Sequence, residues 1–167
     1  MTKENLSSEA LKSFFQKLNL VYSLLMAIPL VLFGWRYLEL QKDDLLTNTI
    51  GTPDQQIWVI IALCLSLLIV LYAYFHFRKK TKKARNLPSF KSKLAAYQSS
   101  AKKMYTYLFF GSLLATGMLH FTHEQASAAL FALTLFLFSV NRPSAEHVAK
   151  SLRLKKEELL LLKKNAI

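Results

Sequence analysis

The sequence is poor in residues that interrupt regular structure and in the residue that cross-links a chain. Its 167 residues include 4 glycines, 4 prolines and a single cysteine, Cys64. One cysteine excludes an intramolecular disulfide, and Cys64 lies in an apolar stretch where a small buried side chain is the ordinary interpretation. The shortage of glycine and proline leaves little room for irregular structure and favours a chain of regular elements.

Charged residues are missing from four long stretches. Asp, Glu, Lys and Arg are absent from residues 18–35, 55–77, 104–123 and 125–141. At about 1.5 Å per residue, the shorter of these helices would cover about 27 Å, close to the thickness of a bilayer core. The pattern predicts an all-α integral membrane protein with four transmembrane helices in one domain, residues 1–142. Because only Glu124 separates the last two stretches, they should form a tight helical hairpin.

The segments beside these stretches also carry helical patterns. The N-terminal SSEALKSFFQKL places apolar residues on one face, which predicts either a short interfacial helix or an early start of the first span. Pro29 inside that span indicates a kink, because neighbouring membrane helices can satisfy the freed carbonyl. After Asn86-Leu87-Pro88, apolar residues again share one face, which predicts an amphipathic helix or an extension of the third span.

The charge distribution predicts an orientation. The segment 78–103, expected as a loop, holds ten basic residues and no acidic residue, and the positive-inside rule places it in the cytoplasm. The connection between the first two spans carries four acidic residues and should face outside. We therefore expect a multi-pass protein of the plasma membrane, a bacterial inner membrane, with both termini cytoplasmic. Residues 143–167 should form a cytoplasmic charged tail of one helix, or of two with a bend near 153–155.

A basic run, RKKTKKAR, follows the second span. Such runs are usually solvated anchors at a membrane face, and they also serve as contacts for anionic lipid headgroups or for an acidic partner, at about 1 kcal/mol per basic residue. Nucleic-acid binding is not expected, because no recognition fold accompanies the patch. The candidate contact residues are Arg78, Lys79, Lys80, Lys82, Lys83 and Arg85.

Residues that could perform chemistry are scarce. No charged residue lies within the four stretches, which counts against a proton-coupled or cation-coupled transporter. His76 lies at the opposite membrane face from His120 and His123, about 30 Å away, so these side chains are not expected to hold a haem. His147, in the basic tail, should be solvated. Because no P-loop, nucleophile elbow, CxxC or HExxH motif occurs, we expect no enzyme activity, no cofactor and no metal site.

Small residues recur at a spacing of four in the third and fourth spans. Small residues let helices approach closely in lipid, so this spacing predicts packing within the hairpin or a face for self-association into a homo-oligomer. The residues are Gly111 and Ala115 on the third span and Ala128 and Ala132 on the fourth.

The closing half of the chain, about 80 residues, ends in a recognisable pattern. Asn141, Arg142 and Pro143 form a corner after the last span, and a charged stretch, Leu152–Glu158, follows. In this the chain resembles small uncharacterised four-helix bacterial membrane proteins that share an Asn-Arg-Pro corner and a charged C-terminal helix. The resemblance implies a fold and no activity.

Two functions are compatible with these features. The first is a non-enzymatic docking or assembly component whose basic cytoplasmic face binds anionic lipid headgroups or a membrane or cytoplasmic protein. The alternative is a small transporter or channel subunit that acts as an oligomer. Its path between protomers would be lined by the hydroxyls of Ser112, Thr116, Ser127 and Thr134.

Overall fold

The chain is all-α over the part that the computed structural model describes, residues 8–42, 53–123 and 125–165. This part forms six helices. They are α1 (Ser8–Lys42), α2 (Pro53–Ala84), α3 (Phe90–Thr122), α4 (Ala126–Val140), α5 (Ala145–Leu152) and α6 (Lys156–Asn165).

Helix α3 lies at the centre of the bundle. It packs against α1, α2 and α4, and the expected hairpin of α3 and α4 is present. Tyr97 and Tyr105 on α3 are fully buried, and the ring centroid of Tyr105 lies 5.4 Å from that of Tyr22 on α1. Helices α5 and α6 pack at one end of the bundle, where Val148 and Leu162 join the main apolar cluster. We call this end, with the last turns of α2 and the first turns of α3, the basic end.

Two described helices, α1 and α2, are long and apolar enough to cross a membrane. Helix α4 has 15 residues, about 22 Å, and is too short alone. Helix α4 reaches the length and apolarity needed to cross a membrane only when it is taken together with α5, which is bent from it by 83°. Helix α3 has 33 residues and is long enough to cross a membrane. Its polar residues, among them Tyr105, Tyr107 and His120, lower its mean hydropathy, and it is not among the apolar candidate spans. The structure thus establishes two apolar candidate spans among the described residues, and the expectation of four is not confirmed.

Large apolar side chains on α1 and α2 face outward. Val31, Leu68 and Phe75 are each more than 60% exposed. A water-soluble domain rarely exposes such a continuous apolar surface, whereas a membrane-embedded one presents it to lipid. This arrangement is that expected of a membrane protein.

The basic segment differs from the expected loop, whereas the N-terminal segment and the tail each match one of their expected alternatives. The basic loop 78–103 is mostly helical: α2 continues to Ala84 and α3 begins at Phe90, because no helix-breaking residue occurs outside Asn86-Leu87-Pro88. Helix α1 runs without interruption from Ser8 past Pro29, which matches an early start of the first span.

The tail is two helices joined at Arg153, whose φ of 51° ends α5. Its apolar residues, among them Val148 and Leu162, belong to the core of the bundle. Both tail helices therefore contribute side chains to the same apolar cluster as α1 to α4.

Candidate functional site

The helical geometry of α2 divides the predicted basic run into two groups. Arg78 and the four lysines are exposed, and Arg85 is half-buried. The lysines are Lys79, Lys80, Lys82 and Lys83. Arg78 and Arg85 lie with Thr81 at positions i, i+3 and i+7, which share one face of a helix. That face lines a groove, so a run that is uniform in sequence presents two surfaces.

The groove lies at the basic end, between the last turns of α2, the end of α4 and helix α5. Its volume is about 470 Å³. Its wall toward the apolar part of the bundle contains Tyr74, Phe77 and Val140. None of the described residues that line it is acidic. We call it the basic groove; its polar lining residues are Arg78, Thr81, Arg85, Asn141, His147, Lys150 and Ser151.

The arginines of the groove are held by contacts with neighbouring groups. The Nε of Arg85 donates a hydrogen bond of 2.7 Å to the carbonyl oxygen of Ser151, which fastens the end of α2 to the end of α5. The guanidinium carbon of Arg78 lies 5.5 Å from the centroid of the Tyr74 ring, within the range of a cation–π contact. Both cations are thus placed at the groove before any ligand binds.

Helix α5 is positioned by a sharp corner after α4. The hydroxyl of Tyr105 donates a hydrogen bond of 2.8 Å to the carbonyl oxygen of Asn141, and the Asn141 amide donates one of 2.8 Å to the Leu137 carbonyl. The Ser144 hydroxyl then caps α5 by accepting from the His147 backbone N–H at 3.1 Å. These bonds turn the chain so that one side of α5 faces the groove.

His147 is half-buried, and the expectation that it is solvated is wrong. Its Nδ1 lies 3.2 Å from the hydroxyl of Tyr97, which is fully buried in α3. Burial, with the nearby positive charge of Lys150, lowers the pKa of His147 below its ordinary value. Burial also raises the pKa of Tyr97, so the tyrosine stays protonated. The pair is therefore neutral at neutral pH, and the charge of the groove comes from its arginines and Lys150.

Thr81 differs from the other described threonines. Thr106, Thr116, Thr122 and Thr134 each donate a hydrogen bond to a carbonyl of their own helix, at 2.7 to 3.0 Å. Thr81 is only 4% exposed, and its Oγ1 has no hydrogen-bond partner among the described residues. A buried hydroxyl without a partner costs free energy, so this oxygen requires an explanation.

The predicted packing residues occupy different surroundings. A Cβ built on Gly111 would lie 3.0 Å from Cγ2 of Val70 on α2 and 3.8 Å from Cγ2 of Thr134 on α4. Ala115 is fully buried, Ala128 is half-buried and Ala132 is exposed. The structure therefore brings Gly111 to a close contact of three helices, while self-association through the exposed Ala132 stays a prediction.

The hydroxyls proposed for a transport path bond mostly to their own helices. Ser112 donates to the Phe109 carbonyl at 2.8 Å, and Thr116 and Thr134 donate in the same way. Ser127 is fully buried and its hydroxyl has no partner among the described residues. The basic groove contains none of these four side chains.

The histidines do not assemble a metal site in the described part of the chain. Nε2 of His123 lies 3.4 Å from one terminal nitrogen of the Arg36 guanidinium. The other terminal nitrogen donates to a carboxylate oxygen of Glu39 at 2.6 Å. A cation beside an imidazole opposes the binding of a second cation there.

Sequence reasoning found Arg78 and Arg85 but missed that both line a groove from which Lys79, Lys80 and Lys83 point away. It also missed Thr81, His147 and Lys150 as neighbours of the arginines. The spacing of residues 78, 81 and 85 could have indicated the common face, but the approach of α5 depends on the corner at Asn141. Comparison with protein-family models, curated proteins and solved structures finds no match for this chain.

Proposed function

We propose that this protein is a non-enzymatic, multi-pass protein of the bacterial inner membrane that docks an acidic partner protein at its cytoplasmic face. The observation that carries the proposal is the row of four exposed lysines on α2, Lys79, Lys80, Lys82 and Lys83, beside a tail that is packed into the bundle. Fixed, exposed cations at a membrane surface favour association with an anionic partner.

The proposed orientation rests on the difference between the two ends of the bundle. All ten basic residues of 78–103 belong to the basic end, with no acidic residue among them. The opposite end carries the Arg36–Glu39 pair and the connection between α3 and α4. The positive-inside rule then puts the basic end in the cytoplasm, with α1 to α4 all crossing the membrane. The central position of α3 between α1, α2 and α4 supports a common path for the four helices.

Docking is tested by purifying the full chain from its native membranes in a mild detergent and identifying what accompanies it. We expect a stoichiometric acidic protein that is lost when the four lysines of the row are changed to Gln. The matched control changes the same lysines to Arg, which keeps the charge and should keep the partner. Increasing salt should release the partner, because exposed charges are screened. A partner that accompanies the Gln variant equally well would contradict the proposal.

The alternative proposal, a transporter or channel subunit, has weaker support. Its hydroxyls at Ser112, Thr116 and Thr134 bond to their own helix carbonyls. In a chain with the exposed Cys64 changed to Ser, the variants Ser112→Cys and Thr116→Cys distinguish the two functions. Transport requires that water-soluble thiol reagents label both. If neither is labelled, the transport proposal fails.

A further inference from the structure

The basic groove has the composition of an anion site. Arg78 and Arg85 approach it from α2 and Lys150 approaches it from α5. No acidic side chain of the described residues lines the groove to neutralise these charges. The Arg85–Ser151 hydrogen bond occupies only Nε, which leaves the two terminal nitrogens of the guanidinium without a partner among the described residues. Guanidinium groups with free N–H donors bind phosphate oxygens in a bidentate manner.

Thr81 supplies a second and independent indication of a ligand. Its side chain lines the groove, is more than nine-tenths buried, and has no partner for its hydroxyl among the described residues. The other described threonines bond back to their own helices, whereas the buried hydroxyls of Ser66, Thr81 and Ser127 have no partner among the described residues. Of these three side chains, only Thr81 lines the groove. Because the Thr81 side chain lines the same groove as three cations, its free hydroxyl can supply a hydrogen bond to an anionic oxygen that binds there.

We propose that the basic groove binds a phosphate group, with the Thr81 hydroxyl donating to one phosphate oxygen and Arg78, Arg85 and Lys150 balancing its charge. The volume of about 470 Å³ exceeds what a phosphate ion needs and leaves room for a larger molecule that carries the phosphate. Two sources supply this chemistry: the headgroup of a phosphomonoester lipid, and a soluble phosphorylated compound. The exposed Val140 at the edge of the groove fits the former, because it continues into the outward apolar face of α4 at Phe136.

The inference rests on the proposed function in one respect, the placement of the basic end at the cytoplasmic headgroup layer. It does not rest on the docking of a protein. Lys79, Lys80 and Lys83 lie on faces of α2 away from the groove, whereas Lys82 is four residues from Arg78 and neighbours it on the helix surface. Variants of Lys79 and Lys83 can therefore change the exposed lysines and leave the groove as it is. A lysine variant that loses the acidic partner should still bind phosphate. A groove variant that loses phosphate binding should still retain the partner.

The first arm of the test uses the full chain in an uncharged detergent, titrated with inorganic phosphate by calorimetry at constant ionic strength. We expect Thr81→Val to weaken binding by about tenfold or more, the effect of one hydrogen bond to a charged group, and Thr81→Ser to bind like wild type. The variant Arg78→Gln/Lys150→Gln should lose binding. Its charge-matched control, Lys79→Gln/Lys83→Gln, should stay within about threefold of wild type, as screened exposed charges do.

The second arm uses phosphatidylcholine nanodiscs with and without phosphatidic acid, and mass spectrometry of the lipids retained after extraction. Retention of phosphatidic acid by wild type but not by Thr81→Val assigns the groove to a lipid headgroup. Binding of free phosphate without retention of this lipid assigns it to a soluble phosphorylated compound. The proposal is overturned if neither probe binds, if Thr81→Val binds like wild type, or if both double variants weaken binding equally.

Discussion

Replacement of Thr81 by valine should stabilise the ligand-free protein. The hydroxyl of Thr81 is buried without a hydrogen-bond partner among the described residues, and valine removes it while keeping nearly the same volume. An unsatisfied buried donor costs about 1–3 kcal/mol, so its removal should raise the free energy of unfolding by about that amount. A chain of this length gains roughly 2–4 °C in its unfolding midpoint per kcal/mol.

The matched control is Thr134→Val. Thr134 is also buried, but its hydroxyl donates a bond of 2.7 Å to the Phe131 carbonyl, so the same replacement should cost about 1 kcal/mol. The two variants should therefore shift stability in opposite directions, measured by thermal or detergent-induced unfolding of the purified protein without added phosphate. If Thr81→Val destabilises the protein as Thr134→Val does, the Thr81 hydroxyl has a partner and the reasoning about the groove is wrong.

Two other predictions concern packing and pH. Gly111→Ala should destabilise the bundle by about 1 kcal/mol, because the new Cβ would lie 3.0 Å from the Val70 side chain, whereas Gly117→Ala, with nothing within 4 Å, should be neutral or stabilising by up to about 1 kcal/mol. Thermal unfolding of the two variants checks the difference, and equal effects would contradict it. The lowered pKa of His147, due to burial and then Lys150, means that the unfolded chain binds the proton more readily than the folded one. Its contribution to stability is thus present above the ordinary pKa of about 6.5 and lost as pH falls below it toward the lowered pKa. The protection of α5 amides against hydrogen exchange, taken relative to the intrinsic exchange rate at each pH, should fall over this window in wild type and not in His147→Gln. Identical protection profiles would refute the assignment.

Much of the fold follows from periodicity and charge. The apolar stretches that predict helices lie within helices of the structure, and the pair of α3 and α4 follows from the short connection between them. The break between α2 and α3 coincides with the Asn86-Leu87-Pro88 segment. The number of membrane crossings does not follow in the same way, because α4 is short and bends sharply into α5.

The groove is less predictable because it depends on contacts between distant residues. The Arg85–Ser151 and Tyr97–His147 bonds join residues 66 and 50 positions apart. A local pattern can place Thr81 on the same helical face as an arginine. It cannot show that the Thr81 hydroxyl lacks a partner, since that depends on which groups the corner at Asn141 brings near.

The central claim is that the basic end faces the cytoplasm while the connection between α3 and α4 faces outside. It is tested most directly by labelling single cysteines with a membrane-impermeant thiol reagent, in a chain with Cys64 changed to Ser. We choose Gln125→Cys beside that connection and Lys164→Cys near the end of α6, both exposed positions. In intact cells freed of their outer membrane, Gln125→Cys should be labelled and Lys164→Cys should be labelled only after permeabilisation. Labelling of both from the same side, or of Lys164→Cys alone from outside, would contradict the account.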